Sequence, residues 1–256
     1  MGLTEKQREI YSRQIMMQEI GEEGQQKLAD SSVLVVGCGG LGSPVLYYLT
    51  AMGIGHIGLC DGDIVSLPNL NRQILFTMED IGKSKVSVSK DRLNALNPDL
   101  KITEHDQLMN EELADKIIPK YDIVVDCLDN FETRFILNDA CIKAKKPLIH
   151  AGIGEFYGQL MTIIPGKTPC LRCLFPKGIK TCQENRLKAT SRGVAFDTFG
   201  VVGTTPGVLG TMQAIEVMKY ILEIPSFTEG MLVVDTLNQT MEKVKIKQNQ
   251  KCICTE

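Results

Sequence analysis

Two periods run through the chain. Short apolar runs bounded by glycine, proline or charge read as buried strands: SVLVV (Ser32 to Val36), HIGLC (His56 to Cys60), LKITEHD, YDIVVDC, PLIHAGI and QLMTIIP. Between them lie longer stretches with helical spacing. These are GSPVLYYLTAMG, KSKVSVSKDRLNALNP stopping at Pro98, about Asn110 to Ile118, and FETRFILNDACIKAKK. Ser43 is placed to cap the first of these and Pro44 to sit at its first helical position. The first 30 residues predict a charged helical arm, with IYSRQIMM (Ile10 to Met17) supplying apolar and basic positions. Residues 176–200 lose all periodicity and form a polar, lysine-rich crossover loop, and loops of that length are usually functional or mobile. A strong helix follows, with Val208, Leu209, Met212, Ile215, Met218, Ile221 and Leu222 as its apolar stripe. MLVVDTLN and MEKVKIK close the chain as a hairpin before a cysteine-bearing tail. Alternating strand and helix predicts an α/β fold, a doubly wound and mostly parallel sheet, over residues 1–256 as a single domain.

Composition narrows the class. The chain has 256 residues, 43% hydrophobic and 23% charged, with a formal net charge of −3. That balance fits a soluble globular protein, and without a basic run it excludes a nucleic-acid partner as the expectation. Residues 1–30 carry charges throughout, so no signal peptide is expected. No apolar stretch approaches the ~20 residues of a membrane span. Nine cysteines without a secretion signal point to a cytoplasmic protein whose spaced thiols bind metal or do thiol chemistry.

The loop GCGGLG places Gly37, Gly39 and Gly42 in a G-x-G-x-x-G pattern, with Gly40 additional. It follows a strand and opens a helix, and Asp61 lies 19 residues beyond Gly42, close to the ~20 expected of a ribose-binding acid in a Rossmann-like site. A glycine turn that only packs helix on strand is the bland alternative. The nucleotide is set by the next stretch, DGDIVSLPNLNRQ (Asp61 to Gln73). Hydride transfer from a nicotinamide needs no cation beyond the helix end. Attack on the α-phosphate of ATP does, because charge builds on phosphorus and on leaving pyrophosphate. Arg72 offers a planar fork for phosphate, Asn69 and Gln73 can orient phosphate or ribose oxygens, and Lys85 is a second cation. Asp63 and Asn130 complete the candidate nucleotide ligands. In VVDCLDN, Asp126 and Asp129 follow a strand end where open α/β sheets bind ligands. Asp126 could cap the strand, which leaves Asp129 as the candidate for Mg²⁺, an ion that prefers oxygen ligands.

GCGGLGS, DGDIVSLPNLNRQ, GKSKV, DCLDNFETR and PCLRC together resemble the ThiF/MoeB/HesA family of the ubiquitin-activating enzyme superfamily. The likeness runs along nearly the whole chain. It implies a homodimeric enzyme that uses ATP and Mg²⁺ to adenylate the C-terminal glycine of a small ubiquitin-like sulfur carrier ending in Gly-Gly, in thiamin or molybdopterin biosynthesis. A cysteine desulfurase or sulfurtransferase is an implied further partner. Carried over, Asp61 binds ribose; Asn69, Arg72, Gln73 and Lys85 meet the phosphates; and Asp129 organises Mg²⁺. Arg13, in YSRQI, matches an arginine that the family inserts into the neighbouring subunit's ATP site.

Cys170 and Cys173 form a C-x-x-C pair whose spacing suits zinc. The family completes a structural Zn²⁺ site with a second C-x-x-C near the C-terminus. Here the tail reads KCICTE, so Cys252 and Cys254 are a C-x-C pair, a less usual chelate in which one thiol could fail to ligate, and a redox pair or buried thiols are the alternatives. Many family members also carry a catalytic cysteine four residues before the GVV preceding the long helix. That place holds Phe196, which cannot be a nucleophile. Cys182, in the same loop beside Lys180 and Arg186, is the remaining candidate for a covalent link. Cys38, Cys60, Cys127 and Cys141 read as small buried hydrophobes. His150 ends a strand and reads as structural, and His56 and His105 show no metal spacing. The rival functions are a nicotinamide-dependent oxidoreductase sharing the glycine loop and Asp61, a non-catalytic nucleotide-binding adaptor, and cyclisation of a small metabolite's N6-type carbamoyl group, as a cousin branch of the superfamily does with adenylated tRNA bases.

Overall fold

Ser32–Val36 (β1) alternates its side chains across two cores, and that alternation organises the molecule. The computed structural model of the chain describes residues 2–176 and 200–255. Val33 and Val35 face one side; Leu34 and Val36 face the other. Around β1 lie His56–Cys60 (β2), Lys101–His105 (β3), Ile123–Asp126 (β4), Leu148–Gly154 (β5), Tyr157–Ile163 (β6), Gly230–Asp235 (β7) and Thr240–Lys245 (β8). They form one eight-stranded sheet in the order β3-β2-β1-β4-β5-β6-β7-β8. The pairings from β3 to β5 are parallel, and those from β5 to β8 are antiparallel. All eight segments expected as strands are strands.

The helices are Glu5–Ile10 (α1), Ser12–Ile15 (α2), Gly21–Asp30 (α3), Gly42–Ala51 (α4), Lys85–Leu96 (α5), Glu111–Ile117 (α6), Phe131–Lys143 (α7), Leu171–Leu174 (α8) and Thr204–Ile221 (α9). Leu46 and Leu49 of α4, Val86 and Leu93 of α5, and Leu209, Ala214 and Val217 of α9 bury against Val33 and Val35. Leu113 and Ile117 of α6 and Phe135 and Leu137 of α7 bury against Leu34 and Val36. Covering both faces is what a parallel sheet requires, because its apolar strands have no solvent side.

Three details add to or depart from the sequence reading. The N-terminal arm is helical as the sequence implies, and its divisions add detail the pattern did not give: it is three short helices, broken at Tyr11 and again before Gly21. Helix α4 starts at Gly42, so Pro44 is its third residue, and the Ser43 hydroxyl donates to the Gly39 carbonyl at 2.7 Å instead of capping. In α9 the buried face runs through Thr205, Pro206, Leu209, Gly210, Gln213, Ala214 and Val217, while Val208 and Ile215 point outward. The apolar count misjudged that face because small and polar residues, not large ones, fit closest to the sheet.

Candidate active site

The carboxyl ends of β1, β2 and β4 open into a cleft of about 690 Å³. Its floor is the glycine loop. Gly37 takes φ +99, a region side-chain-bearing residues rarely adopt, and a Cβ there would come within 2.6 Å of the Cys127 carbonyl. Gly42 lies outside the cleft lining; a Cβ on it would collide with the Gly37 carbonyl, so it fixes the turn rather than touching a ligand. Asp61, past the end of β2, reaches back to this loop. Its carboxylate accepts from the Cys38 amide at 2.7 Å and from the Asp63 amide at 2.9 Å. Burial pushes the Asp61 carboxyl up, and the Lys85 charge and those two amide bonds pull against it.

Lys85 opens helix α5, behind Ser84, whose hydroxyl caps the helix. Its ammonium is buried and lies 2.8 Å from Asp63 Oδ2. Arg72 lines the cleft, and its Nη1 donates to the Pro68 carbonyl at 2.9 Å and to Asn71 Oδ1 at 3.3 Å. Gln73 is buried, and its Oε1 has no hydrogen-bond partner within the protein. Asp129 is exposed on the cleft wall, and Asn130 caps α7 by accepting from the Thr133 amide at 2.9 Å. Gly37, Gly39, Gly40, Asp61, Asp63, Arg72, Gln73, Lys85, Asp129 and Asn130 therefore line one cleft, although 93 residues separate the first from the last. Asn69 does not line it; its side chain accepts from the Ser66 hydroxyl within the same loop.

Arg13 stands elsewhere. The arm that carries it is pinned where Asn97 Nδ2 donates to the Tyr11 hydroxyl and Gln14 Nε2 donates to the Met52 carbonyl. Asn97 and Met52 end helices α5 and α4, which begin at the cleft rim. The 10 residues of α4 put about 15 Å between the cleft rim and the arm. Arg13 is exposed there and does not line its own chain's cleft. Cys182 and Phe196 lie outside the described residues.

Sequence reasoning missed Arg134. It lines the cleft, is 4% exposed, and donates through Nη2 to the carbonyls of Leu128 and Ala151. A charged residue three positions into a helix normally reads as solvated surface; only its position behind the DN turn hints otherwise. Beneath it, Asp126 and His150 are fully buried, and His150 Nδ1 lies 2.6 Å from Asp126 Oδ2. Burial lowers the His150 pKa, while the Asp126 carboxylate works the other way. The thiols of Cys38 and Cys127 are held well above their ordinary value by burial, and Cys60 is pushed to about 12. None of these three is a thiolate at neutral pH.

Outside the cleft lining, the four sulfurs of Cys170, Cys173, Cys252 and Cys254 lie within 4.8 Å of one another. The short turn Ile253–Thr255 lets the tight C-x-C pair deliver both thiols. Cys170 meets Cys252 and Cys173 meets Cys254, each at 3.5 Å. The Asn249 amide donates to Cys173 Sγ. Four converging sulfurs with an amide donor behind them suit a tetrahedral structural Zn²⁺.

Among the described residues no helix is long and apolar enough to cross a membrane. The model of the ThiF family matches residues 11–255. A sulfur carrier protein adenylyltransferase of Thermus thermophilus is 38% identical, covering 98% of this chain and 92% of the relative. An adenylyltransferase and sulfurtransferase MOCS3 of Xenopus laevis is 40% identical over 96% of this chain, which spans only 53% of that relative's length. Among solved structures, Escherichia coli MccB with ATP superposes with a TM-score of 0.74 at 26% identity, covering 90% of this chain and 68% of that one.

Proposed function

The chain belongs to the ThiF family, and from that premise and the cleft's geometry we propose that it adenylates the C-terminal glycine carboxylate of a small ubiquitin-like sulfur carrier with ATP. The observation that carries this reading is the convergence of three cations, Arg72, Lys85 and Arg134, on a cleft floored by a glycine loop and flanked by Asp61. A nicotinamide site has no use for them. A triphosphate carries three to four negative charges and needs them.

A carboxylate oxygen of the carrier attacks the α-phosphorus in line. The new O–P bond forms as the α–β bridging P–O bond breaks, giving an acyl adenylate and pyrophosphate. No general base is required, because a carboxyl terminus is ionised at neutral pH. Catalysis is then positioning plus charge stabilisation. Asp61 holds the ribose, and the glycine-loop amides together with Arg72 and Lys85 hold the phosphates. Asp129, exposed on the cleft wall, would supply an oxygen donor to Mg²⁺, and the ion when bound would neutralise phosphate oxygens.

The arm and the loop before α5 support a homodimer. Ile10, Met16 and Met17 are exposed around Arg13, and Ile64, Leu67, Ile74 and Met78 are exposed around Arg72. Pairing the two patches across a two-fold axis would bury both and carry Arg13 into the partner's cleft. The carrier serves a thiamin-type or molybdopterin-type pathway, with a separate sulfurtransferase or desulfurase supplying sulfur.

The test is pyrophosphate–ATP exchange against a panel of small carriers ending in Gly-Gly, with Mg-ATP and NADH compared for thermal stabilisation. Exchange with one carrier and stabilisation by Mg-ATP are expected. Stabilisation by NADH alone, without exchange, would return the oxidoreductase reading.

A further inference from the structure

Beneath the cleft, a line of polar side chains crosses three adjacent strands. Gln159 on β6 places Nε2 3.4 Å from His150 Nε2 on β5. The other ring nitrogen, Nδ1, meets Asp126 Oδ2 at the end of β4 at 2.6 Å. An amide –NH₂ only donates, so His150 Nε2 accepts and Nδ1 carries the proton that Asp126 receives. Asp126 Oδ1 in turn accepts from the Leu128 amide at 3.0 Å. On the opposite side of the same residue, Arg134 Nη2 donates to the Leu128 carbonyl. Both backbone polar groups of Leu128 are therefore clamped, and Leu128 immediately precedes Asp129.

The clamp contains a conflict. Arg134 Nε is buried with no hydrogen-bond partner and lies 3.8 Å from Asp126 Oδ2. A buried carboxylate beside an unsatisfied buried guanidinium N–H closes that gap unless something holds it back. Among the described residues, His150 is the group bonded to that same oxygen, 2.6 Å away. Gln213 steadies the strand end by donating to the Asp126 carbonyl at 2.8 Å, but it does not touch the carboxylate.

We propose that His150 is a positioning residue for the metal-binding turn: its Nδ1–H holds Asp126 off Arg134 so that the carboxylate stays on the Leu128 amide and Asp129 keeps its aim into the cleft. This rests on the reading of Asp129 as the Mg²⁺ ligand given above. Without the His150 donor, Asp126 pivots onto Arg134 Nε, the Leu128 amide is released, and the turn carrying Asp129 loosens.

Two substitutions separate the donor from the ring's bulk. His150→Asn keeps an N–H near the Nδ1 position, and His150→Leu fills similar space without one; His150→Val, which suits a strand, replaces the leucine variant should that not fold. The first readout needs no ligand: hydrogen exchange of the peptide spanning Val124 to Phe131. The second is the Mg²⁺ concentration giving half-maximal ATP binding by calorimetry. In the leucine variant, exchange at Leu128 should quicken about tenfold, as for one lost hydrogen bond, and the Mg²⁺ midpoint should rise about tenfold. The asparagine variant should stay close to the parent in both. Leucine behaving like the parent, or asparagine being damaged equally, overturns the proposal. Faster exchange at Leu128 with an unchanged Mg²⁺ midpoint keeps the clamp but removes its link to the metal, and so falls on the Asp129 reading.

Discussion

Lys85 Nζ lies 2.8 Å from Asp63 Oδ2, yet the two ends of the pair live in different media: the lysine side chain is 6% exposed and the aspartate 59%. A buried ammonium left without a counter-charge is strongly unfavourable. In the free protein Asp63 supplies that charge from the solvent side, and a phosphate entering the cleft can share or replace it. Asp63→Ala should therefore lower the melting temperature without nucleotide and show a larger stabilisation by Mg-ATP than the parent, because the ligand now replaces the direct ion pair that Asp63 made, with only the Asp61 charge left nearby. A thermal-shift titration decides this. An ATP-induced shift no larger than the parent's would mean that Lys85 does not meet phosphate.

If Arg13 acts in the neighbouring cleft, its loss and the loss of Asp129 damage different halves of one composite site. Arg13→Ala and Asp129→Ala proteins should each lose pyrophosphate exchange. Mixed and allowed to exchange subunits at random, they should recover about a quarter of sites, since only heterodimers hold one intact site. Native mass spectrometry verifies the mixing. Verified heterodimers with no recovered activity would place Arg13 in cis.

Asp80 folds the loop that carries Arg72 and Gln73. Burial works against its ionised form. It is overcome by bonds from the Thr77 amide and hydroxyl, Arg92 and Lys83, and the carboxyl is held far below its usual range. A depressed carboxyl stabilises the fold above its unfolded pKa of about 3.9, and that contribution fades as pH falls toward the folded value. Asp80→Asn should melt a few degrees below the parent at pH 7, with the gap narrowing steadily below about pH 4. Melting curves from pH 7 to pH 3 read it directly; a gap that stays constant throughout would deny the linkage.

Metal at the four-cysteine cluster should be structural. Cys252→Ser should purify with less zinc than the parent, which should hold about one ion per chain, and should melt lower. Its ATP binding should survive at temperatures where the fold holds, because no cluster residue lines the cleft. Elemental analysis with a melting curve tests both parts, and a zinc-free parent as stable as the variant would count against the site.

What the sequence could and could not reveal follows from distance along the chain. Strands and helices were legible because periodicity is local, and the glycine loop with Asp61 was legible because a turn and a strand end are local too. Arg134 was not, since nothing near it in sequence says that Leu128 and Ala151 will bury it. The Asp126–His150 pair was not legible as a pair, because its members are 24 residues apart and meet only when β4 and β5 align. The C-x-C tail is a less usual chelate on spacing alone; the turn at Ile253 is what brings both sulfurs round to Cys170 and Cys173.

The sheet changes direction after β5, and the cleft draws no lining residue from β6, β7 or β8 among the described residues. One half of the sheet thus lines the nucleotide cleft, and the other reaches it only indirectly, through Gln159 behind His150. Substitutions drifting through the antiparallel half meet no direct penalty at the phosphates. A lineage built on this plan can alter what its outer strands greet while the inherited chemistry next door stays untouched.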